Sequence, residues 1–156
     1  MRAVIQRVKS ASVSVEGAVV SRIGAGLVVL VGVREGDSRD DLEWCANKVL
    51  RARLFDGAEG KAWSDNVVQA GLDVLFVSQF TLYGFFKGNK PDFHNAMPPV
   101  KAKAFYEDFL AYAREVGYKG HGERVKDGVF GAMMDVALVN DGPVTMCIDS
   151  QDRKPG

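Results

Sequence analysis

The sequence predicts a single α/β domain, a mostly antiparallel sheet with two helices laid on it. Three observations lead there. Short apolar stretches of strand length recur in the first third and the last quarter of the chain; only two longer stretches carry apolar residues at helical spacing; and no repeat or linker interrupts the 156 residues. A chain of that length makes one domain of ordinary size with a substantial core. The domain is expected over residues 1–149, with 150–156 a short, loose C-terminal tail.

The elements follow in order. Ser12-Val13-Ser14-Val15 alternates with period two, Glu16-Gly17 supplies a turn, and residues 27–33 read as a strand buried on both faces. Gly24-Ala25-Gly26 precedes a strand rather than opening a helix, so it is read as a turn and not as a dinucleotide fingerprint. A helix starts near Asp37-Ser38, and Leu42, Cys45, Ala46, Val49 and Leu50 form its apolar stripe. Arg53-Leu54-Phe55 reads as a short strand, residues 56–60 as a turn, and residues 72–82 as the central strand. Residues 83–99, rich in Gly, Pro, Asn and Lys, are too long for a mere connector. The second helix is expected from Pro99 to Gly117, with Phe105, Phe109, Ala113 and Val116 on its buried face. Val129-Phe130, residues 134–139 and residues 144–148 complete the apolar segments.

Bulk chemistry narrows the function. The composition is 47% hydrophobic and 26% charged, as in soluble globular proteins. The formal charge is zero, so no global basic field advertises nucleic acid, although a local phosphate site stays open. Two cysteines, Cys45 and Cys147, make neither a disulfide framework nor a metal cluster and are read as buried reduced thiols. No secretory leader is read at the start, and the longest apolar run is too short to span a membrane. The expected compartment is the cytoplasm.

No nucleophile elbow, His-x-x-x-His or paired-carboxylate spacing is present. His94 lies in the long loop near the motifs and is read either as a plain loop histidine or as a substrate contact; His121, between glycines, is expected in solvent. Two short motifs stand out instead. Ser78-Gln79-Phe80-Thr81 ends an apolar strand with hydroxyls, an amide and main-chain N–H groups. These residues either cap the next turn or stabilise an oxyanion in acyl transfer. Thr81 as a nucleophile needs a base that the sequence does not visibly supply. Asn140-Asp141-Gly142-Pro143-Val144-Thr145 places a Gly-Pro bond between apolar segments, where Asp-Gly signals a hairpin.

The two motifs, in this order and spacing, resemble those of the D-aminoacyl-tRNA deacylases, which read Ser-Gln-Phe-Thr-Leu and Asn-x-Gly-Pro-x-Thr. The resemblance spans nearly the whole chain, including residues 3–8 and 11–13, Phe130-Gly131-Ala132 and Met134. Residues 87–94 resemble the eukaryotic branch. The resemblance implies a sheet curled toward a barrel and hydrolysis of D-aminoacyl-tRNA and of glycyl-tRNA. It implies a homodimer in which a cis Gly142-Pro143 bond enters the partner's active site, where its carbonyls line the amino-acid pocket. Ser78, Gln79, Phe80 and Thr81 would hold the ester and the terminal ribose. Phe130 and Met134 would flank the adenosine and the Gly-Pro motif, and Arg7 would hold that motif in place.

On that reading, backbone atoms exclude an L side chain by steric clash, and the 2′-hydroxyl of the ester's own ribose helps to activate water. No cofactor or metal is expected. Lys87 and Lys90 are candidate contacts to the acceptor end of tRNA, and Lys101 is read as ordinary surface. The alternatives are covalent catalysis by Thr81 and a non-catalytic nucleic-acid-binding protein.

Overall fold

A computed structural model describes residues 1–153 of the protein. β1 (Arg2–Val15) is the spine of the sheet. Its first half pairs antiparallel with β3 (Gly26–Gly32) and its second half with β2 (Ala18–Ile23). The Glu16-Gly17 turn joins β1 to β2, with both residues at positive φ. β3 continues the sheet in parallel with β4 (Asp73–Ser78), and β4 in parallel with β7 (Val125–Asp127). Along its other edge β1 pairs antiparallel with β8 (Asp135–Asp149), from Ser14 opposite Asp135 to Arg2 opposite Asp149.

A slip in β1 decides the overall shape. Ala3 and Ile5 face the helices, and Val8 faces the other way by normal alternation. The register against β8 shifts between Val8 and Ser10, which puts Ala11 and Val13 on the same side as Val8. Such bulges bend a strand and raise its twist. The far half of β1, with β2 and the start of β8, thereby curls over the sheet, and Val13, Ile23 and Leu138 cover Val28, Leu75 and Val77. The central strands are therefore buried on both faces, which is why residues 27–33 read as a continuous apolar run.

The helices cover the opposite face. α1 (Arg39–Arg51) begins at a reciprocal capping box between Ser38 and Asp41, and its whole predicted stripe, Leu42, Cys45, Ala46, Val49 and Leu50, is buried. Burial pushes the Cys45 thiol up to about 12. Cys147, expected to be buried, is exposed on β8. α2 (Pro99–Tyr112) starts with Pro99 in its first turn and widens over residues 113–117, where the Tyr118 N–H reaches back to the Ala113 carbonyl. Its buried face is Ala102, Tyr106, Phe109 and Leu110, followed by Ala113. Val116, predicted to be on it, is exposed because the wider turn rotates the last residues outward.

Other expectations are corrected by pairing. Among the described residues, residues 53–55 contribute only a single bridge, Phe55 to Asp65, rather than a strand. The central strand stops at Ser78, four residues before its expected end, and β7 was not foreseen. Residues 83–99 contain a small hairpin, β5 (Phe85–Lys87) with β6 (Lys90–Asp92). Asp141-Gly142 does not turn a hairpin: both flanks pair with β1, and residues 141–144 bulge from one long strand opposite Arg7.

β8 ends at Asp149, and the residues that follow, expected to be loose, are tied down as far as they are described. The Arg153 guanidinium bonds to Asp40 and Asp41 at the start of α1 (2.7 and 3.0 Å), and its Nε donates to the Ser150 carbonyl. Residues 154–156 lie outside the described residues. Beside the tail the Met1 ammonium is fully buried, donating to Asp37 Oδ1 (2.9 Å) and Ser150 Oγ (2.5 Å). No described helix is long and apolar enough to cross a membrane.

Candidate active site

At the C-terminal end of β4 the chain leaves the sheet abruptly. Ser78 still pairs with Val31, and the Gln79 N–H donates to the Val31 carbonyl (2.7 Å). Residues 80–83 then form one tight helical turn, closed by the Gly84 N–H on the Thr81 carbonyl (2.9 Å). As the first residues of that turn, Phe80 and Thr81 have N–H groups with no acceptor earlier in it. The Gln79 amide donates to Thr81 Oγ1 (2.5 Å). Among the described residues no histidine, carboxylate or lysine hydrogen-bonds to that hydroxyl.

Phe80 is 57% exposed and meets the ring of Phe93 edge-on at 5.0 Å. Phe93 in turn lies against Gly84, where an added Cβ would sit 2.8 Å from the ring and 2.9 Å from the Thr81 carbonyl. Glycine is needed there for the close approach. The β5–β6 hairpin fixes Phe93 from behind. Asp92 accepts the Lys87 ammonium (2.9 Å), the His94 N–H (3.0 Å) and the His94 ring nitrogen Nδ1 (2.5 Å). The His94 backbone bond, then the Lys87 ammonium, hold the Asp92 carboxyl well below the usual carboxylate range. Lys87 is therefore already matched in charge, whereas Lys90 is exposed without an ion pair among the described residues. Lys101 pairs with Glu35 at 3.2 Å, and His121 is exposed beside Glu123.

The loop 128–134 lies next to this end of β4, held by the Gly128 N–H on the Phe76 carbonyl (3.2 Å). Phe130 packs on Tyr106 at 5.9 Å, on the helix side. Met134 packs into the curled side, and its sulfur accepts the Val129 N–H at 3.4 Å. The 128–134 loop is thus tied to β4 two residues before Ser78, while Phe80 meets Phe93 beyond the strand's end.

Gly142 and Pro143, joined by a cis bond, are elsewhere. Their bulge is clamped from inside by Asn140, whose Oδ1 accepts the Val144 N–H (2.8 Å) and whose amide donates to Thr145 Oγ1 (3.1 Å). From outside, Arg7 donates through Nε to the Asp141 carbonyl (3.2 Å) and through Nη1 to the Leu54 carbonyl (2.7 Å). Gly142 sits at φ +135°, and a Cβ there would lie 2.7 Å from Val144 Cγ2 and 3.0 Å from its backbone nitrogen.

Within one chain the two motifs do not meet. Ser78 is level with Val31, Ala3 and Ile148, whereas Gly142 lies beside Arg7, which is level with Leu27 and Val74. Four residues along the strands and three strands across separate them by about 20 Å. Sequence reading missed Asp92, Phe93 and Trp63 as parts of these clusters. Asp92, two residues before His94, carried a usable signal, since Asp commonly accepts the N–H two residues on; for Trp63 the one-dimensional pattern offered none.

The architecture places the chain in a known class. A solved structure called c-Myc DNA Unwinding Element Binding Protein superposes with a TM-score of 0.91 at 46% identity, over 100% of both chains. A protein named D-aminoacyl-tRNA deacylase from Dictyostelium discoideum is 50% identical over 98% of this chain and 100% of its own. One of the same name from Desulfitobacterium hafniense is 51% identical over 97% and 98%. The family model described as D-Tyr-tRNA(Tyr) deacylase matches residues 4–149, and the chain belongs to that family.

Proposed function

We propose that this protein hydrolyses the ester bond of D-aminoacyl-tRNA, and of glycyl-tRNA, in the cytoplasm. It does so as a homodimer in which residues 78–81 of one copy and Gly142-Pro143 of the other build each site. The observation that carries this reading is the separation of the motifs by about 20 Å in one chain. Each presents open main-chain groups, and neither is a complete site alone.

The free edge of β8 favours a second copy as the missing half. This strand is 15 residues long, pairs only with β1 among the described residues, and leaves Val139 and Met146 about half exposed (53% and 51%). Beside it runs a groove of about 700 Å³ lined by Trp44, Leu54, Met146 and Ile148 among others. A long, apolar, unpaired edge invites pairing with another chain.

The chemistry fits a site poor in titratable groups. Water attacks the ester carbonyl, and the N–H groups of Phe80 and Thr81 receive the developing oxyanion. The tetrahedral intermediate collapses with departure of the 3′-oxygen, which takes up a proton, to give free amino acid and tRNA. The vicinal 2′-hydroxyl of the substrate assists water, so no side-chain base is required. The carbonyls of Gly142 and Pro143 hold the substrate ammonium, and the backbone around them occupies the space of an L side chain. Glycine, without a side chain, passes. Thr81 is a poor candidate for nucleophile because its hydroxyl accepts from Gln79 and has no base beside it.

Hydrolysis of D-tyrosyl-, L-tyrosyl- and glycyl-tRNA at matched concentrations tests the reading. Rapid loss of the D and glycyl esters with the L ester spared supports it. Equal loss of D and L removes the chiral role of Gly142-Pro143. No loss of any ester, with salt-sensitive binding of duplex DNA, moves the protein to the binding function in its structural relative's name.

A further inference from the structure

We propose that Trp63 is a positioning residue for the chirality filter: its ring braces Arg7, and Arg7 holds the bulge that carries Gly142-Pro143. This rests on the filter role proposed above. Arg7 is the β1 residue opposite residues 141–144. Its guanidinium joins two backbone segments, the Asp141 carbonyl on one side and the Leu54 carbonyl on the other. It also approaches Asp141 Oδ2 at 3.4 Å. Arginine holds such geometry only while its long side chain stays in one rotamer.

The loop that follows Leu54 supplies the restraint. It closes on itself where Phe55 and Asp65 exchange N–H and carbonyl bonds of 3.0 Å. Trp63, inside that closure, lies with its ring under the Arg7 guanidinium, 5.9 Å from its carbon to the ring centroid. One loop therefore gives Arg7 both an acceptor, through Leu54, and an aromatic face.

Core stability does not explain Trp63. It is 58% exposed, so its burial contributes little. It sits at φ +55°, a left-handed conformation that is costly for a bulky residue. An exposed aromatic kept in an unfavourable backbone state is instead accounted for by its cationic partner. Without the ring, Arg7 gains other rotamers, the Asp141 carbonyl loses its fixed donor, and the two carbonyls that follow lose their orientation. Selectivity is then more sensitive than fold, because excluding an L side chain depends on backbone placement to within about 0.5 Å.

The test measures kcat/KM for D- and L-tyrosyl-tRNA with Trp63→Leu, Trp63→Phe, Arg7→Ala and the Trp63→Leu/Arg7→Ala double variant. Leucine keeps apolar surface and removes the aromatic face. Trp63→Leu is expected to lower the D/L ratio about fivefold, and Trp63→Phe to restore most of it. The double variant should be no worse than Arg7→Ala alone, because both changes break one brace. A D/L ratio unchanged in Trp63→Leu overturns the inference. So do single effects that multiply in the double variant, since Trp63 would then act independently of Arg7. If unmodified protein hydrolyses both esters equally, the filter itself falls and the brace with it. A selective unmodified protein with an indifferent Trp63→Leu rejects the brace alone.

Discussion

In the proposed mechanism the residue-scale chemistry rests on main-chain groups, so alanine scanning cannot test the oxyanion donors at residues 78–81. Proline is the sharper probe. Phe80→Pro removes the N–H assigned to the oxyanion while suiting the first position of a helical turn. It should lower kcat by about 10²- to 10³-fold with a smaller change in KM, as loss of one oxyanion donor does elsewhere. Thr81→Ala should retain turnover within about tenfold, and the unmodified protein should accumulate no acyl-enzyme in a quenched-flow assay; collapse of turnover in the variant together with an acyl-enzyme trapped on the unmodified protein would restore the nucleophile mechanism. The motif residues were legible in the sequence because they interrupt apolar runs. Their environment was not. Lys87 reads as a free cation in one dimension, yet Asp92 lies 2.9 Å from it across the β5–β6 hairpin.

Among the elements, α1 was the most legible, since its cap and stripe are local: Ser38 and Asp41 are three residues apart, and the stripe follows the 3.6-residue period. Burial pushes the Asp41 carboxyl up, but hydrogen bonds from Ser38 and Ser150 outweigh it and hold its pKa down to about 2. A carboxylate depressed in the folded state stabilises above its unfolded pKa, and that contribution is lost as pH falls through the folded value. Thermal stability should therefore drop between about pH 4 and pH 2. Asp41→Asn should have a lower Tm at pH 7 and a flatter profile over that range; a profile identical to the unmodified protein would show that Asp41 does not govern acid stability. β8 was the least legible element. Asp141-Gly142-Pro143 has hairpin chemistry, and only pairing of both flanks with one β1 turns it into a bulge.

For the whole molecule, the separation of the two motifs predicts complementation. Phe80→Pro disables the residue 78–81 half, and Gly142→Ala disables the other half by pressing a Cβ onto Val144. If the protein is the proposed homodimer, two such variants mixed under conditions that exchange subunits should form heterodimers with one doubly defective and one intact site. Random mixing should recover about a quarter of the unmodified activity from two inactive preparations, as an isologous dimer requires. No recovery, with heterodimers confirmed by native mass spectrometry, would place both motifs in one subunit's site.

What the sequence determined alone was whatever depends on neighbours along the chain. That includes the α/β class, the α1 cap and stripe, the doubly buried central strands and the two motifs with their resemblance. These are readable because helical and strand periodicities, caps and turn chemistry act over a few residues. Tertiary structure alone decided what depends on residues far apart in sequence. The slip in β1 curls the sheet, β1 pairs with both flanks of the 141–144 bulge, Asp92 neutralises Lys87, and Arg7 meets Leu54, Trp63 and Asp141 at once. Strand register and side-chain encounters are set by packing among distant segments, and no local periodicity encodes them.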